Sequence, residues 1–352
     1  MDAHHTLLAD NLDYIKNIES FEELGAIRRL WLQKCKGQID DINLVHSLIS
    51  RQCILLSISK TAAYGMGDSP PVPYAFLLFG SGGRKEQTLM SDQDNGLIYQ
   101  VPEWFSTAEQ DEVHRYFQQL THELTLGLSI TGYPPCEGNV MSSNPRWRGP
   151  CSHWNHLISS WCEEPTWENV RHLLLLSDAR LLIGDESIYK EFRDTFFQET
   201  SQSPFLLSRF VSNTLHHQVP LGWFGRLLPE INGKYRGAVN IKNGVYLPFV
   251  NCIRLFAIAH NIRHTPTLER LHCLSEMSVW NSVLCQSIHH HFTEVVNLRI
   301  LASQQWEDGL YQSNSYLKLT DLTKLQRSTL KDAMKLALQL QQMTTRAYAK
   351  AE

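Results

Sequence analysis

The sequence lacks the patterns that mark a secreted or membrane-spanning protein. No apolar run approaches the roughly 18 residues that a transmembrane helix needs, and residues 1–17 carry acidic residues where a signal peptide has basic ones. The eight cysteines are at least eleven residues apart, so the sequence contains no Cys-x-x-Cys pair. Scattered cysteines predict reduced, buried thiols. We therefore expect a soluble cytoplasmic protein without a membrane partner.

The sequence also lacks several signatures of known binding or catalytic classes. Its net charge is −4, and its aromatic residues, 10% of the chain, are not interleaved with basic clusters, so no nucleic-acid partner is expected. Gly-x-Ser-x-Gly, Gly-x-Gly-x-x-Gly and the Walker pattern are absent. Three consecutive histidines, His289 to His291, point about 100° apart on a helix and do not predict a shared metal ligand set.

What the sequence does contain is enough apolar material for a packed core, with 43% hydrophobic and 19% charged residues among 352. Residues 1–70 show helical periodicity, beginning with Leu7 and Leu8, and end in a loop rich in Gly and Pro. Residues 71–200 contain short apolar runs typical of strands together with helices, and residues 201–352 are almost entirely helical in pattern. We predict an α+β protein with N-terminal helices, a small mixed-sheet domain and a C-terminal helical bundle.

Three short strands are predicted within the middle segment, at residues 74–79, 97–101 and 138–142. Ser106 and Glu109 form a plausible capping box at the start of a long amphipathic helix. Further helices are expected from residue 150 onward, and the last of them carries an apolar stripe that indicates a bundle core.

The first candidate site is the glycine segment that directly follows the first predicted strand. Gly80, Ser81 and Gly82 lie ahead of Arg84, where a helix or helical turn is expected to begin. Backbone N–H groups at such a turn lack intrahelical partners and favour an anion, and glycine allows a phosphate to approach the backbone. The arginine adds positive charge. The segment therefore predicts phosphate binding, although a glycine-rich segment by itself is usually only a loop.

The second candidate site is the Asp-Gln-Asp sequence that precedes the second predicted strand. Asp92 and Asp94 are separated by one residue, so on an extended chain both side chains point to the same face. Paired carboxylates bind hard divalent cations such as Mg²⁺ or Mn²⁺ together with substrate phosphates. Asp-x-Asp alone is usually a solvated turn, but a strand, Gly-Ser, ten residues, Asp-x-Asp and another strand form a much more specific combination.

This combination resembles the signature of the nucleotidyltransferase superfamily, which is Gly-Ser, about ten residues and Asp-x-Asp. The fuller string GSGGRKEQTLMSDQDNG resembles the subgroup related to the uridylyltransferase of the PII signalling protein. It is most similar to bacterial putative nucleotidyltransferases often found beside CBS or cyclic-nucleotide-binding domains. The blocks CEGNVMSSNPRWRG, LLSDARLLIGD, VNIKNGVYLPFVNCIRLFAIAHNI and TPTLERL are also similar to that family, so the resemblance covers most of residues 20–345.

The resemblance implies roles for the candidate residues. Gly80 and Ser81 would hold the triphosphate of a nucleoside triphosphate (NTP), and Asp92 and Asp94 would bind Mg²⁺ while an acceptor hydroxyl attacks the α-phosphate. Many members have a third carboxylate on a later strand, and the acid nearest that place here is Glu137.

The resemblance also bears on the C-terminal half of the chain. Asn240 stands where Asp-x-Lys is expected, and Lys242 is retained. Lys242 and Arg254 are candidate nucleotide-binding cations, and each has the alternative of an ordinary salt bridge or a solvated charge. Asp178 and Arg180 are interpreted as structural support.

Three functions remain open on the sequence. The first is an Mg²⁺-dependent transferase that moves NMP to an acceptor hydroxyl of a protein or small molecule, with a role in signal transduction. The second is a nucleotide-sensing module with little or no turnover, which the uncertain third carboxylate and Asn240 favour. The third is a helical interaction protein with a vestigial α/β unit. The sequence does not define the acceptor, the NTP or the oligomeric state.

Overall fold

A computed structural model describes residues 12–35, 37–201, 204–304, 306–307, 310–311 and 315–349. Leu7 and Leu8, the start of the predicted helical pattern, lie outside the described residues. The fold is α+β, as predicted. It divides into two compact units, and their described residues fall in the following segments. Unit 1 comprises those up to Gln87, Ser91–His156 and Ala179–Phe192, and unit 2 comprises Thr88–Met90, Leu157–Asp178 and those from Arg193 onward.

Unit 1 combines a small sheet with long helices. Its helices are α1 (Leu12–Lys16), α2 (Phe21–Lys34), α3 (Ile39–Ala62) and α4 (Thr107–Thr131), with parts of α5 (Cys151–Glu163) and α7 (Glu186–Ser201). Its strands are β1 (Tyr74–Leu78), β2 (Asn95–Tyr99), β3 (Arg148–Pro150) and β4 (Arg180–Gly184).

The four strands form one mixed sheet in the order β3-β2-β1-β4. The central strands β1 and β2 are antiparallel, and the register pairs Leu78 with Asn95. β4 is antiparallel to β1, and β3 is parallel to β2. Both central strands are almost wholly buried, which explains the unbroken apolar runs over all of β1 and over Leu97 to Tyr99 in β2. The end of β1 therefore lies beside the start of β2.

Helix α3 is the core helix of unit 1. Its length and apolar composition alone would allow it to cross a membrane, but 61% of its most apolar 18-residue window is buried inside the fold. Buried polar groups on α3 have partners there, for example His46 Nδ1 at 2.9 Å from the Tyr133 hydroxyl. The pattern is that of a helix packed within a protein core.

The capping box predicted at the start of α4 is present. The Ser106 side chain accepts from the Glu109 N–H, and the Glu109 carboxylate accepts from the Ser106 N–H. The helix ends at Gly132, which adopts a left-handed conformation with φ 102°.

Two sequence-based placements in unit 1 were wrong. Residues 138–142 do not form a strand, because Asn139 has φ 53° and its N–H closes a turn onto the Cys136 carbonyl. The third strand is instead β3, further along the chain. The helix or helical turn expected to begin at Arg84 is also misplaced, because the glycines themselves form a single helical turn, Gly80–Gly83, that ends at Arg84.

Unit 2 is a helical bundle with small β elements. Its helices are α6 (Trp167–Leu176), α8 (Pro204–Thr214), α9 (Leu247–Ala259), α10 (Thr267–Glu276), α11 (Ser282–Ser303) and α12 (Lys324–Tyr348). Two antiparallel pairs accompany them, β5 (Ala238–Asn240) with β8 (Tyr316–Lys318) and β6 (Trp306–Glu307) with β7 (Leu310–Tyr311). The sequence pattern had not indicated these short pairs. Of the predicted apolar stripe of α12, Leu330, Ala333, Met334 and Ala337 are buried and Leu338 is half-buried.

A buried carboxylate organises the end of α6 in unit 2. Asp178 is fully buried and accepts hydrogen bonds from Arg254 Nη1 at 2.8 Å and Arg270 Nη1 at 2.7 Å. Arg254 also donates to the Leu174 carbonyl, and Arg270 to the Ser177 carbonyl. The two arginines thus satisfy carbonyls at the C-terminus of the helix, where positive charge is favoured.

We predict that Asp178→Ala lowers the free energy of unfolding by about 3–5 kcal/mol, because two buried guanidinium groups lose their counter-ion. Asp332→Ala is the matched control, since Asp332 pairs at 2.8 Å with Lys335 on the surface and such pairs contribute at most about 1 kcal/mol. Urea denaturation of both variants measures the difference. Equal destabilisation would contradict the organising role of Asp178.

Candidate functional site

The antiparallel pairing of β1 and β2 closes the ten-residue gap between the glycines and the aspartates. The Phe79 N–H donates to the Asp94 carbonyl at 3.0 Å, one step beyond the last strand pair. The Phe79 ring is fully buried and packs against Trp147 and Trp154. It also lies over Gly96, where an added Cβ would come within 2.8 Å of the ring. The residues on both sides of this hydrogen bond are therefore held together at one end of the sheet.

The glycine turn, Gly80–Gly83, presents its first N–H groups at this end of the sheet. The first helical hydrogen bonds are Gly83 N to the Phe79 carbonyl at 2.9 Å and Arg84 N to the Gly80 carbonyl at 3.1 Å. The N–H groups of Gly80, Ser81 and Gly82 precede those bonds, as at any helix start. Such donors are suited to an anion.

Arg180 of β4 stabilises the glycine turn through hydrogen bonds to its backbone. Its Nε and Nη2 atoms donate to the Gly82 carbonyl at 3.2 and 2.9 Å. The interpretation of Arg180 as structural support agrees with this contact.

Arg84 and Lys85, the basic residues after the glycines, have different surroundings. Arg84 is buried, and its Nε donates to Glu86 at 2.8 Å. Lys85 is exposed and has φ 57°.

The segment that precedes β2 alternates between two faces. Asp92 is exposed and Asp94 is half-buried, while Gln93 and Asn95 are both buried. This two-residue period is that of an extended chain. The aspartates consequently share one face, and both line a pocket together with Ser81 and Gly82.

The buried residues of this segment anchor it to α4 and to the chain that follows α4. Gln93 Nε2 donates to the carbonyls of Thr125 and Tyr133 and to the Ser129 hydroxyl. Asn95 uses its N–H to reach the Val140 carbonyl and its Oδ1 to accept from the Ser142 N–H. These bonds fix the backbone on which the aspartates stand.

Gly80 and Asp94 are in direct spatial contact. A Cβ placed on Gly80 would come within 2.8 Å of Asp94 Oδ2, and Gly80 has φ +51°, a left-handed conformation that side chains rarely adopt. Only glycine at this position leaves the carboxylate its space.

Cys136 supplies a third donor atom beside the aspartates. One ligand atom from each of Asp92, Asp94 and Cys136 lies within 4.8 Å of the others. Burial, followed by the charge of Asp94, raises the pKa of the Cys136 thiol to about 12, and the thiol forms a hydrogen bond with the Asp94 side chain. Glu137, the acid considered from the sequence, is exposed and is not part of this group.

This donor set fits a divalent cation. Carboxylate oxygens within 4.8 Å of each other need at most a small side-chain adjustment to share an ion, because metal–oxygen distances are about 2.1 Å for Mg²⁺ and opposite ligands then lie roughly 4.2 Å apart. Glycine at position 80 keeps a side chain away from Asp94 Oδ2. Asp92 and Asp94 are the residues that could hold such an ion.

Cys136 was not predicted from the sequence, because a third carboxylate was expected at the site and every cysteine was interpreted as a buried thiol. The parallel bridge between Gln93 and Pro135 sets Cys136 next to Asp94. No local sequence pattern predicts an isolated β-bridge between two residues that lie 42 positions apart.

The candidate cations of unit 2 are placed differently from each other. Arg254 is buried in its ion pair with Asp178, and its Nη2 donates to Asn251 at 2.6 Å. Lys242 is exposed at the start of a short π-helical turn, Lys242–Tyr246. Asn240 accepts from the Asn243 N–H at 2.9 Å and so closes the turn that carries the lysine.

Two family models match the chain. The model described as "Putative nucleotidyltransferase DUF294" matches residues 34–168. The model described as "Putative nucleotidyltransferase substrate binding domain" matches residues 204–348. Together the matches cover most of the chain, and the glycine turn and both aspartates fall in the first. No curated protein matches the chain.

We predict that Gly80→Ala disturbs the site beyond its effect on stability. The substitution strains the backbone by about 1–2 kcal/mol and drives the new Cβ into Asp94 Oδ2. Gly65→Ala is the control, because Gly65 has φ +75° with no atom within 4 Å of an added Cβ. Both variants should lose similar thermal stability, and only Gly80→Ala should weaken Mn²⁺ binding in calorimetry. Unchanged Mn²⁺ binding in Gly80→Ala would contradict the contact.

Proposed function

Because the chain belongs to the family of putative nucleotidyltransferases that these two models describe, we propose that it transfers NMP from an NTP to an acceptor hydroxyl and releases pyrophosphate. The reaction would require Mg²⁺ or Mn²⁺. The observation that carries the proposal is the joining of an anion-binding turn and a carboxylate pair at one end of the sheet, with Gly80 against Asp94.

In this proposal the triphosphate lies on the glycine turn. The N–H groups of Gly80, Ser81 and Gly82 and the Ser81 hydroxyl donate to phosphate oxygens, since these groups line or border the pocket of the aspartates. The hydrogen bond from Arg180 to the Gly82 carbonyl stabilises the conformation of the turn before the nucleotide binds. Preorganised donors of this kind stabilise charge that develops during phosphoryl transfer.

Asp92 and Asp94 are the proposed catalytic residues and would hold the divalent ion. When bound, that ion neutralises phosphate charge and stabilises the leaving pyrophosphate. The acceptor oxygen forms a bond to the α-phosphorus, and the bond from that phosphorus to the β-phosphate oxygen breaks. The hydroxyl proton passes to a site carboxylate. The fixed backbone of residues 92–95 keeps both carboxylates on the reacting face.

The basic residues divide into two proposed roles. Lys242 is exposed, and we propose it as a nucleotide-binding cation on the resemblance alone. Arg84 and Arg254 are buried in ion pairs, so we propose that they act on the nucleotide through the segments they hold. Arg84 shapes the chain after the glycine turn, and Arg254 supports the helices of unit 2.

The finer assignments follow the resemblance to PII uridylyltransferases. We propose a cytoplasmic protein in signal transduction, with UTP as the first NTP to test and a protein or small molecule as acceptor. A nucleotide-sensing module with little turnover is the second candidate. It is favoured by Cys136 beside the aspartates, where a third carboxylate is expected, and by Asn240 in place of an aspartate.

We predict that each function leaves a distinct signature when the four NTPs are screened with Mg²⁺ or Mn²⁺. An enzyme shows metal-dependent thermal stabilisation by an NTP together with pyrophosphate release. The double variant Asp92→Asn, Asp94→Asn should lower that release at least about 100-fold, because several kcal/mol of charge stabilisation are lost. The exposed pair Asp111→Asn, Glu112→Gln removes the same charge from α4 and should change little.

The outcomes of this screen separate the candidates. Stabilisation without pyrophosphate, across a panel of hydroxyl acceptors, supports the sensing module. No stabilisation by any NTP at millimolar concentration contradicts both candidates and leaves a helical interaction protein. Equal metal–nucleotide binding by the wild type and the aspartate variant shows that the site is assigned to the wrong residues.

A further inference from the structure

We propose that Cys136 is a metal ligand and that, with Asp92 and Asp94, it makes a mixed oxygen–sulfur site that binds Zn²⁺ more tightly than Mg²⁺. This inference rests on the proposed function in that it concerns the ion at the same carboxylates. It goes beyond that function by assigning a third ligand and a different metal preference. Zn²⁺ bound there would compete with the ion that supports transfer.

The first support is the way in which the fold fixes Cys136 beside the aspartates. The Gln93 N–H donates to the Pro134 carbonyl at 3.1 Å, and Gln93 and Pro135 form a parallel bridge. The next residue on each side of the bridge is Asp94 and Cys136. The Cys136 carbonyl accepts from the Asn139 N–H at 2.9 Å, which closes a tight turn after the cysteine. The backbone that carries the thiol is therefore fixed on both sides of Cys136.

The second support comes from two buried amides that line the same pocket. The Oε1 atoms of Gln87 and Gln93 are buried and, in the part of the chain that the structure describes, have no hydrogen-bond partner. Both glutamines are at most 5% exposed, and both line the pocket with Asp92 and Asp94. Gln87 is already fixed through its Nε2, which donates to the Ser91 hydroxyl at 2.8 Å. Two buried acceptor oxygens without a partner in the lining of this pocket indicate that a polar ligand or water belongs there.

The ligand types determine which cation fits best. Mg²⁺ prefers oxygen ligands in octahedral geometry, whereas Zn²⁺ accepts thiolate and carboxylate together in four-coordinate sites that keep one position for water or substrate. Two carboxylates and one thiol match the second description. As the sulfur–metal bond forms, the thiol proton leaves to solvent and the hydrogen bond to Asp94 is replaced by a shared ion.

The test uses the full chain and Cd²⁺ as a spectroscopic probe for Zn²⁺. Wild-type protein should develop the ultraviolet charge-transfer band of a cadmium thiolate, and Cys136→Ser should lose it. Zn²⁺ affinity, measured by competition with a chelator, should fall at least about tenfold in Cys136→Ser, while Mg²⁺ affinity should stay nearly constant. Cys151→Ser is the matched control, because Cys151 is also a half-buried free cysteine of unit 1. It should behave as the wild type.

A second variant guards against a folding defect. Cys136→Asp should keep divalent-cation binding, lose the cadmium band and shift its preference from Zn²⁺ toward Mg²⁺ and Mn²⁺. A band of full size in Cys136→Ser, or equal Zn²⁺ affinity in Cys136→Ser and the wild type, overturns the inference.

The same data distinguish this inference from the proposed function. A cadmium band that needs Asp92, Asp94 and Cys136, in a protein that no NTP stabilises, supports the metal site and contradicts nucleotidyl transfer. Mg²⁺-dependent pyrophosphate release by a protein without the cadmium band supports nucleotidyl transfer and contradicts the role of Cys136 as a metal ligand.

Discussion

The candidate site depends on the antiparallel pairing of β1 and β2. Their register ends at Leu78 and Asn95 and is extended by one hydrogen bond from the Phe79 N–H to the Asp94 carbonyl. Antiparallel neighbours bring the end of one strand to the start of the next, so the sixteen residues from Phe79 to Asp94 form a loop whose two ends must meet. The glycine turn and the aspartates then lie at the same end of the sheet, whatever path the loop takes.

Two further features convert this proximity into a defined arrangement of side chains. The alternation of residues 92–95 directs Gln93 and Asn95 into hydrogen bonds with α4 and the segment after it, and leaves both aspartates on the other face. Gly80 leaves space for Asp94 because it has no Cβ. The buried polar residues, which carry no chemistry themselves, thus set the direction of those that do.

Much of the fold could be predicted from the sequence because many of its elements are determined by local sequence patterns. The buried strands contain short continuous apolar runs, Ser106 and Glu109 cap their helix, and Asp92 and Asp94 share a face by the period of an extended chain. Other features depend on contacts between distant segments. They are the strand order, the position of β3, the contact of Arg180 with the glycine turn and the place of Cys136 beside the aspartates. Such contacts leave no periodic trace in the sequence, as the 42-residue separation of Gln93 and Pro135 illustrates. The family models indicate the class of function, and the geometry identifies Cys136 as the third donor residue beside the aspartates.

The central claim is that the glycine turn and the aspartate pair form one metal–nucleotide site. A crystal structure with Mn²⁺ and a non-hydrolysable NTP tests it most directly, because anomalous scattering locates the ion independently of the nucleotide. The account predicts an anomalous peak about 2.1 Å from carboxylate oxygens of both Asp92 and Asp94, with phosphate oxygens on the N–H groups of Gly80 and Ser81. A nucleotide bound with its ion away from these aspartates would contradict it.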